Sequence, residues 1–355
     1  MHLLVFRFSA MGDVALLTPV LQAVTRQNPS VRLTLVTRRR FAPFFAGIPN
    51  LTIFEADFEG QHQTFRGLLQ LFRTLQKLGK FDCIVDAHQN LRSAVLKSLF
   101  GLSGIRAVTL DKGRGGKKAL TRKENKVLQP LSHTVERYQR LFRQIGLHVE
   151  IGGPPFIQSP QEPDNQILAF LKANQVPFPK SQTWLGIAPF AQHAQKMWDF
   201  GNFVPLLEKI FRQMPGIRVF LFGGGTEEME KLDGLHRKFP QTAVVAGAMP
   251  LPAELALIRQ LDLMLCMDSG NMHLAALSGV PVLSVWGATH PFAGFGPYGQ
   301  AGEHLLQIPN ETLACRPCSV FGNKPCWRGD LACLHMISVD MVFERLQTLL
   351  DKEKP

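Results

Sequence analysis

The stretch from Leu261 to Pro291, LDLMLCMDSGNMHLAALSGVPVLSVWGATHP, decides the fold. An apolar run over residues 263–267 predicts a buried strand, which stops abruptly at Asp268-Ser269-Gly270. A short helical segment follows, and a second apolar run over residues 281–286 predicts another strand. A strand, a helix and a strand in close succession are typical of a parallel α/β sheet.

Polar residues gather where the first of these strands meets the helix. Ligands of open parallel sheets bind outside the carboxyl ends of the strands, and N–H groups at a helix N-terminus bind anions. We therefore predict that Ser269, Gly270, Asn271 and His273 surround a phosphate. Asp268 would accept hydrogen bonds from sugar hydroxyls. The alternative is that Asp268 or Ser269 only caps the helix.

The length and the pattern of the whole chain favour two such domains. At about 100–200 residues per domain, 355 residues suggest two. Short apolar runs alternate with helical patterns through both halves, and the proline-rich segment 152–163, GGPPFIQSPQEP, is the best linker candidate. We predict an α/β fold of two Rossmann-like, doubly wound domains, residues 1–158 and 159–355, facing each other across a cleft.

The charge balance points to anionic partners. Lysine and arginine total 39 against 28 acidic residues, a formal charge of +11. Residues 112–126, KGRGGKKALTRKENK, are especially basic, although such runs are usually solvated loops. Nucleic acid is not expected, because this run has no aromatic residue to stack on bases. No apolar run is long enough for a membrane span, and no signal peptide is recognisable, so we expect a cytoplasmic protein.

Four of the six cysteines lie close together near the C-terminus, at positions Cys315, Cys318, Cys326 and Cys333. Four closely spaced thiols could hold a structural zinc ion, although the second pair lacks the C-x2-C spacing. The alternative is four reduced thiols that pack a loop. A catalytic role is less favoured, because no base stands beside them in the sequence.

A carboxylate follows the first predicted strand. Gly12 ends the strand and Asp13 lies at the start of a helix predicted over residues 14–26. As a base, Asp13 could take the proton of a sugar hydroxyl. An aspartate near a helix start is, however, commonly a cap.

Four further residues of the first half are candidate acceptor contacts. Gln89 and Arg92 follow a predicted strand, where Arg92 could anchor an acidic group. His133 and Arg137 stand one helical turn apart in SHTVERYQRLF. The alternative for these side chains is a role as a helix cap or as a surface residue.

In the second half, Lys196 lies in the loop after a predicted strand, where it could neutralise a diphosphate. Glu227 opens a helix after three glycines and could bind a ribose hydroxyl. The alternatives are a surface lysine and a favourable charge in the first turn of a helix.

Several motifs then occur in one order along nearly the whole chain: MGDVALLTP, QNLRS, AQKMW, DSGNMHLAALSGVPVLSVWGATHP and the late cysteines. Together they resemble glycosyltransferase family 9, the lipopolysaccharide heptosyltransferases. The resemblance implies a GT-B fold, with the acceptor bound mainly by the first domain and the nucleotide sugar by the second. It also implies an inverting transfer without a catalytic metal or any required cofactor.

The resemblance also assigns roles to residues. The general base falls on Asp13, the diphosphate-binding lysine on Lys196 and the donor-sugar contact on Asp268. The ribose contact falls on Glu227, with Glu228 one position away. The loop Pro189-Phe190-Ala191 departs from the small hydroxyl or glycine residues that many members carry there.

The expected partners are a nucleotide sugar, most simply ADP-heptose, and an anionic lipid-linked saccharide on the cytoplasmic face of the inner membrane. A transferase of another nucleotide sugar, a sugar-nucleotide epimerase and a non-catalytic glycan-binding protein are the alternatives. The joint presence of Asp13, Lys196 and Asp268 argues against the last of these.

Overall fold

The computed structural model describes residues 1–158 and 164–352, and these form two compact units. The first unit comprises residues 1–112 and 132–158, and the second comprises residues 113–131 and the described residues after 158. The basic segment 113–131 therefore packs with the second unit, although it lies within the first half of the sequence. Part of the predicted linker, residues 159–163, lies outside the described residues.

A parallel sheet of five strands forms the centre of the first unit. Its strands are β1 His2–Phe6, β2 Arg32–Thr37, β3 Leu51–Glu55, β4 Cys83–Asp86 and β5 Ala107–Thr109. Their order across the sheet is β3-β2-β1-β4-β5. The chain leaves β1 toward one side and β4 toward the other, so the switch point of the topology lies between these two strands.

The second unit has a parallel sheet of six strands. These are β6 Trp184–Ala188, β7 Arg218–Leu221, β8 Thr242–Val244, β9 Leu263–Met267, β10 Val282–Trp286 and β11 Leu305–Gln307. Their order, β11-β10-β9-β6-β7-β8, is that of a complete dinucleotide-binding fold, with the switch point between β6 and β9.

Helices connect the strands of both units. In chain order they are α1 Met11–Ala15, α2 Thr18–Gln27, α3 Phe65–Gln76, α4 Leu91–Leu102, α5 Arg114–Leu120, α6 Thr134–Arg143, α7 Asn165–Ala173, α8 Phe203–Gln213, α9 Thr226–Lys238, α10 Leu251–Ile258, α11 Gly270–Leu277, α12 Ala332–His335 and α13 Val339–Lys352. None of these helices is long and apolar enough to cross a membrane.

The prediction of two doubly wound α/β domains is confirmed, and two details of it are wrong. The helix predicted over residues 14–26 is two helices, α1 and α2, separated at Leu16-Leu17. Pro19 lies in the first turn of α2, where its missing N–H does not matter, and it cannot continue a helix from α1. The basic run over residues 112–126 is not simply a loop, because it contains α5.

The cores consist of apolar side chains from the sheets and the adjoining helices. In the second unit a large cluster joins β6, β9 and β10 to α8 and α13. In the first unit a cluster of aromatic and aliphatic residues joins β1 and β4 to α3 and α4. Strands buried on both faces are rigid supports, so the residues that immediately follow them are held in defined positions.

Candidate active site

An ion pair lies at the switch point of the second unit. Lys196, in the loop after β6, places Nζ 3.0 Å from Oδ2 of Asp268, directly after β9. Both side chains are largely buried, with 15% and 7% of their surfaces exposed. The Thr289 hydroxyl donates a hydrogen bond of 2.8 Å to the same carboxylate oxygen. Two residues that the sequence predicts to bind the donor are therefore brought together.

The start of α11 adjoins this pair. Ser269 is the N-cap residue, but its side chain makes no capping hydrogen bond, and its buried Oγ has no partner among the described residues. The Asp268 carboxylate is occupied by Lys196 and Thr289 rather than by the helix. Neither side chain therefore acts as a simple cap. Gly270 opens the helix, Asn271 is half-buried and His273 is 7% exposed.

The two glutamates that open α9 point in different directions. Glu227 is exposed and pairs with Lys231 at 2.7 Å, and this hydrogen bond lowers the pKa of its carboxyl. Glu228 turns back, and its Oε2 accepts a hydrogen bond of 2.8 Å from the Gly224 N–H. The structure thus places Glu228, and not Glu227, against the glycine-rich turn. The ribose contact predicted for Glu227 stays a prediction.

Asp13 lies at the switch point of the first unit. It belongs to the first turn of α1, and the N-cap position of that helix is Ala10. Asp13 Oδ2 lies 2.6 Å from a guanidinium nitrogen of Arg7, whose other terminal nitrogen donates 2.8 Å to the Ala87 carbonyl. The Tyr138 hydroxyl donates to the backbone carbonyl of Asp13 at 3.1 Å. Asp13 is therefore a positioned, partly exposed carboxylate and does not act as a helix cap.

Positive charge surrounds the neighbouring strand end. His88, two residues after β4, accepts the Phe8 N–H on Nδ1 at 2.9 Å. Burial lowers the pKa of His88 to about 3, and repulsion from Arg7, Lys112, Arg38 and Arg92 acts in the same direction. The imidazole is therefore neutral at physiological pH.

Two of the predicted acceptor residues, Gln89 and Arg92, follow the carboxyl end of β4. Gln89 has a positive φ of 54°, and its Oε1 is buried without a partner among the described residues. Arg92 stacks over Phe58, with 5.4 Å between the guanidinium carbon and the ring centroid.

The other two predicted acceptor residues belong to α6 or its cap. His133 is the N-cap of this helix and forms a capping box with Glu136. Arg137 donates hydrogen bonds to the carbonyls of Ser132 and Asp111. Gly12 is buried within α1. Acceptor binding by all of these residues stays a prediction.

A pocket of about 390 Å³ lies in the first unit. Its lining is strongly charged and comes from the segments that follow β2 and β3: Arg38, Arg39, Arg40, Glu55, Ala56, Asp57, Phe58 and Glu59. Sequence reasoning did not single out this pocket. Three consecutive arginines directly after an apolar strand were the signal that could have identified it.

The basic segment is anchored to the second unit through Lys126. Its ammonium group lies 2.7–3.2 Å from four successive carbonyl oxygens, those of residues 314–317, and burial lowers its pKa. The buried Arg316 in turn binds the carbonyls of Gly287 and Thr289, which lie beyond the end of β10. Backbone carbonyl groups leave no signal in a sequence. The structural roles of Lys126 and Arg316 were therefore not predicted.

The four late cysteines lie in the same region as free thiols. Burial raises the pKa of Cys333 to about 11 and also raises that of Cys318. Within residues 1–158 and 164–352, no group of three or more histidine, cysteine or acidic side chains is arranged to hold a metal ion. The zinc interpretation and the packing of reduced thiols both stay predictions.

Comparisons with known proteins agree with this geometry. Residues 68–321 match the model of glycosyltransferase family 9 (heptosyltransferase). The lipopolysaccharide core heptosyltransferase OpsX of Haemophilus influenzae is 24% identical over 302 residues, which cover 81% of this chain and 80% of that protein.

Solved structures share the fold over the full length. A glycosyl transferase family 9 protein from Veillonella parvula superposes with a TM-score of 0.74 at 19% identity, covering 99% of this chain and 97% of that one. The ADP-heptose lps heptosyltransferase II of E. coli gives 0.69 at 18% identity, with all of both chains covered. The family match spans most of this chain, and the chain belongs to glycosyltransferase family 9, the heptosyltransferases.

Proposed function

We propose that this enzyme transfers a heptose from ADP-heptose to a saccharide of the lipopolysaccharide core, with inversion at the anomeric carbon. The observation that carries the proposal is the uncapped start of α11 beside the Lys196–Asp268 pair. The names of the relatives support the choice of sugar and acceptor, since they include a lipopolysaccharide core heptosyltransferase and an ADP-heptose-dependent enzyme.

The second unit would bind the donor at its switch point. The diphosphate would accept hydrogen bonds from the N–H groups that open α11, from the Ser269 hydroxyl and from Lys196. Asn271 and His273 would complete the phosphate contacts. Asp268 would hold the sugar hydroxyls, and Glu227 would hold the ribose.

Asp13 would act as the general base. Arg7 binds Oδ2 of the carboxylate, and Oδ1 has no partner among the described residues, so Oδ1 can take the proton of the acceptor hydroxyl. The acceptor oxygen then forms a bond to the anomeric carbon on the face opposite the diphosphate. The bond from that carbon to the diphosphate oxygen breaks, and its electron pair leaves with ADP.

Fixed positive charge would stabilise the departing diphosphate. Lys196 and the positive end of the α11 dipole are in place before the reaction, so little reorganisation is needed. We therefore expect transfer without a divalent metal ion, and a chelator such as EDTA should leave the rate unchanged. A rate restored by added magnesium after chelation would contradict this expectation.

The acceptor would bind at the first unit, through Gln89, Arg92, His133 and Arg137. Its anionic groups would be attracted by the positive charges that surround His88. A lipid-linked acceptor would bring the enzyme to the cytoplasmic surface of the inner membrane.

The test is transfer by Asp13→Asn, a nearly isosteric change that removes the base. We expect kcat to fall by about 10²–10⁴ while donor binding stays unchanged. Asp82→Asn is the matched control, because Asp82 is a carboxylate of the same unit that accepts a hydrogen bond from the His2 N–H. Transfer by Asp13→Asn at the rate of the wild type would refute the assignment.

The donor is tested separately by thermal shift with ADP, UDP, GDP and CMP and with ADP-heptose. A ligand at about 100 times its Kd should add about 2.7 kcal/mol of stability. A shift with UDP or GDP alone would be consistent with a glycosyltransferase but would refute ADP-heptose as the donor. Donor turnover without any acceptor would favour an epimerase.

A further inference from the structure

Helices α3 and α4 form one layer on the first sheet. Phe72 of α3 packs edge-on against Phe100 of α4, with 4.7 Å between the ring centroids. Leu68 and Leu71 of α3 and Leu96 of α4 are buried in the same core cluster. The inner faces of both helices are therefore buried in the core of the first unit, and their outer faces are exposed.

The outer face of α4 is apolar. Leu91 and Leu102 are 81% and 87% exposed, the two most exposed large apolar side chains among the described residues. They stand eleven residues apart, which returns to the same side of a helix after about 16 Å. The exposed residues between them on that side, Ala94 and Ser98, are small and uncharged. A leucine at each end of an uncharged stripe is unusual on a surface that faces only water.

The outer face of α3 is cationic. Arg66, Arg73 and Lys77 are exposed at helical spacing and form no ion pair with any described residue. Phe65, at the start of the same helix, is 61% exposed. One neighbouring helix thus offers leucine side chains and the other offers uncompensated positive charge.

Acidic residues are nearly absent from this part of the chain. From residue 60 to residue 110 there are seven lysines and arginines and only two acids. Asp86 is fully buried, and Asp82 accepts a hydrogen bond from the His2 N–H. Lys97 of α4 pairs with Asp86 at 3.6 Å, so the positive charge that has no ion-pair partner among the described residues is that of Arg66, Arg73 and Lys77.

We infer that the outer faces of α3 and α4 dock on an anionic lipid bilayer. Leu91, Leu102 and Phe65 would enter the headgroup region, while the cations of α3 would contact lipid phosphates. Apolar side chains flanked by lysine and arginine are typical of interfacial membrane contacts. The inference deepens the proposed function, because a lipid-linked acceptor lies at such a surface.

The experiment is co-sedimentation with vesicles of phosphatidylcholine containing about one third phosphatidylglycerol, without donor or acceptor. We expect the wild type to bind, and binding to weaken as salt rises. Leu91→Ser/Leu102→Ser should lower the partition coefficient about tenfold. Arg66→Gln/Arg73→Gln/Lys77→Gln should lower it about a hundredfold, since each basic residue near the surface contributes about 1 kcal/mol.

Matched controls lie elsewhere on the protein. Arg26→Gln changes an exposed cation on α2, which packs against α6, and Leu168→Ser changes an exposed leucine on α7. Both should bind vesicles like the wild type. Unchanged melting temperatures would show that all of these surface variants are folded.

The inference is overturned if the wild type does not sediment with the vesicles, or if both multiple variants bind as it does. It is also overturned if Leu91→Ser/Leu102→Ser converts a dimer to a monomer, because the face would then bind a second copy. Transfer to a detergent-dispersed acceptor should have the same kcat in these variants. A failure of membrane docking is therefore distinguishable from a failure of the proposed activity.

Discussion

The Lys196–Asp268 pair gives the sharpest test of the second unit. The two charges lie 3.0 Å apart at the switch point, both largely buried, and the Thr289 hydroxyl binds the same carboxylate. The perturbation is a double-mutant cycle of Lys196→Met, Asp268→Asn and the double variant. Each change removes one charge and keeps the approximate shape of the side chain.

The expected magnitudes follow from burial. Two unit charges about 4 Å apart attract each other by about 4 kcal/mol at an effective dielectric constant near 20. Removal of one partner leaves the other charge buried and should lower the free energy of unfolding by about 3 kcal/mol. The double variant removes both charges, so its effect should be about 2 kcal/mol smaller than the sum of the single effects.

Urea unfolding followed by tryptophan fluorescence measures these free energies. The matched control is the Lys209–Asp340 pair of the same unit, where Nζ and Oδ1 are 2.5 Å apart and the carboxylate side chain is 71% exposed. An exposed pair typically shows a coupling below about 1 kcal/mol. If the coupling for Lys196 and Asp268 is no larger than that of the control, the buried pair does not exist in solution.

The same variants test donor binding. Lys196→Met should weaken ADP binding about tenfold or more, since a hydrogen bond to a charged group contributes about 1.5–3 kcal/mol. Asp268→Asn should leave ADP binding nearly unchanged and weaken the binding of ADP-heptose, because Asp268 is proposed to contact the sugar. Isothermal calorimetry with both ligands measures this difference. Equal losses for ADP and ADP-heptose in Asp268→Asn would refute the division of roles.

Two further predictions concern stability. Burial holds the folded-state pKa of His88 near 3, against 6.5 for a free histidine. The neutral His88 therefore makes its full contribution to the free energy of unfolding above about pH 6.5. As the pH falls toward 3, the unfolded state binds the proton first, and the free energy of unfolding decreases by up to roughly 4 kcal/mol. Between pH 6.5 and pH 3 the urea midpoint of the wild type should decrease more than that of His88→Gln. If the difference between the two midpoints does not change with pH, the low pKa of His88 is contradicted. Lys126→Met should destabilise the second unit by about 2 kcal/mol, with partial recovery in Lys126→Arg. Lys123→Met, an exposed control in the same segment, should melt like the wild type. An equal loss of stability in both variants would contradict the role of the four carbonyl oxygens that bind Lys126.

The fold was predictable where the pattern of apolar residues is local. The bounds expected for the strand over residues 263–267 agree with the structure, because a strand buried on both faces is a continuous apolar run, and this one ends abruptly at the polar Asp268. The segment 113–131 was not predictable in the same way. Its many charges mask a helix whose Lys117 is buried, with the ammonium group 4.1 Å from the centroid of the Phe295 ring.

The candidate site was predictable as a set of positions and not as a set of contacts. Parallel topology places the residues after β6 and β9 at one edge, so Lys196 and Asp268 were foreseeable neighbours. That they bind each other was not foreseeable, because 72 residues separate them. Arg7 was missed for another reason: it follows β1 as an isolated charge, and its partner Asp13 was interpreted as a base or a cap.

Both units keep their proposed functional charges in contact with an opposite charge. Arg7 binds one oxygen of Asp13, and Asp268 binds the ammonium group of Lys196. A buried charge without a partner would strongly destabilise the free enzyme, so an enzyme that needs such charges has to pair them within the chain. The consequence differs between the two sites. At Asp13 the pair leaves one carboxylate oxygen for the acceptor, and it can persist through the reaction. At Lys196 the ammonium group has three N–H donors, so a bound diphosphate can share it with Asp268. An uncharged analogue of the diphosphate would gain less from this ammonium group, so the site favours anionic donors.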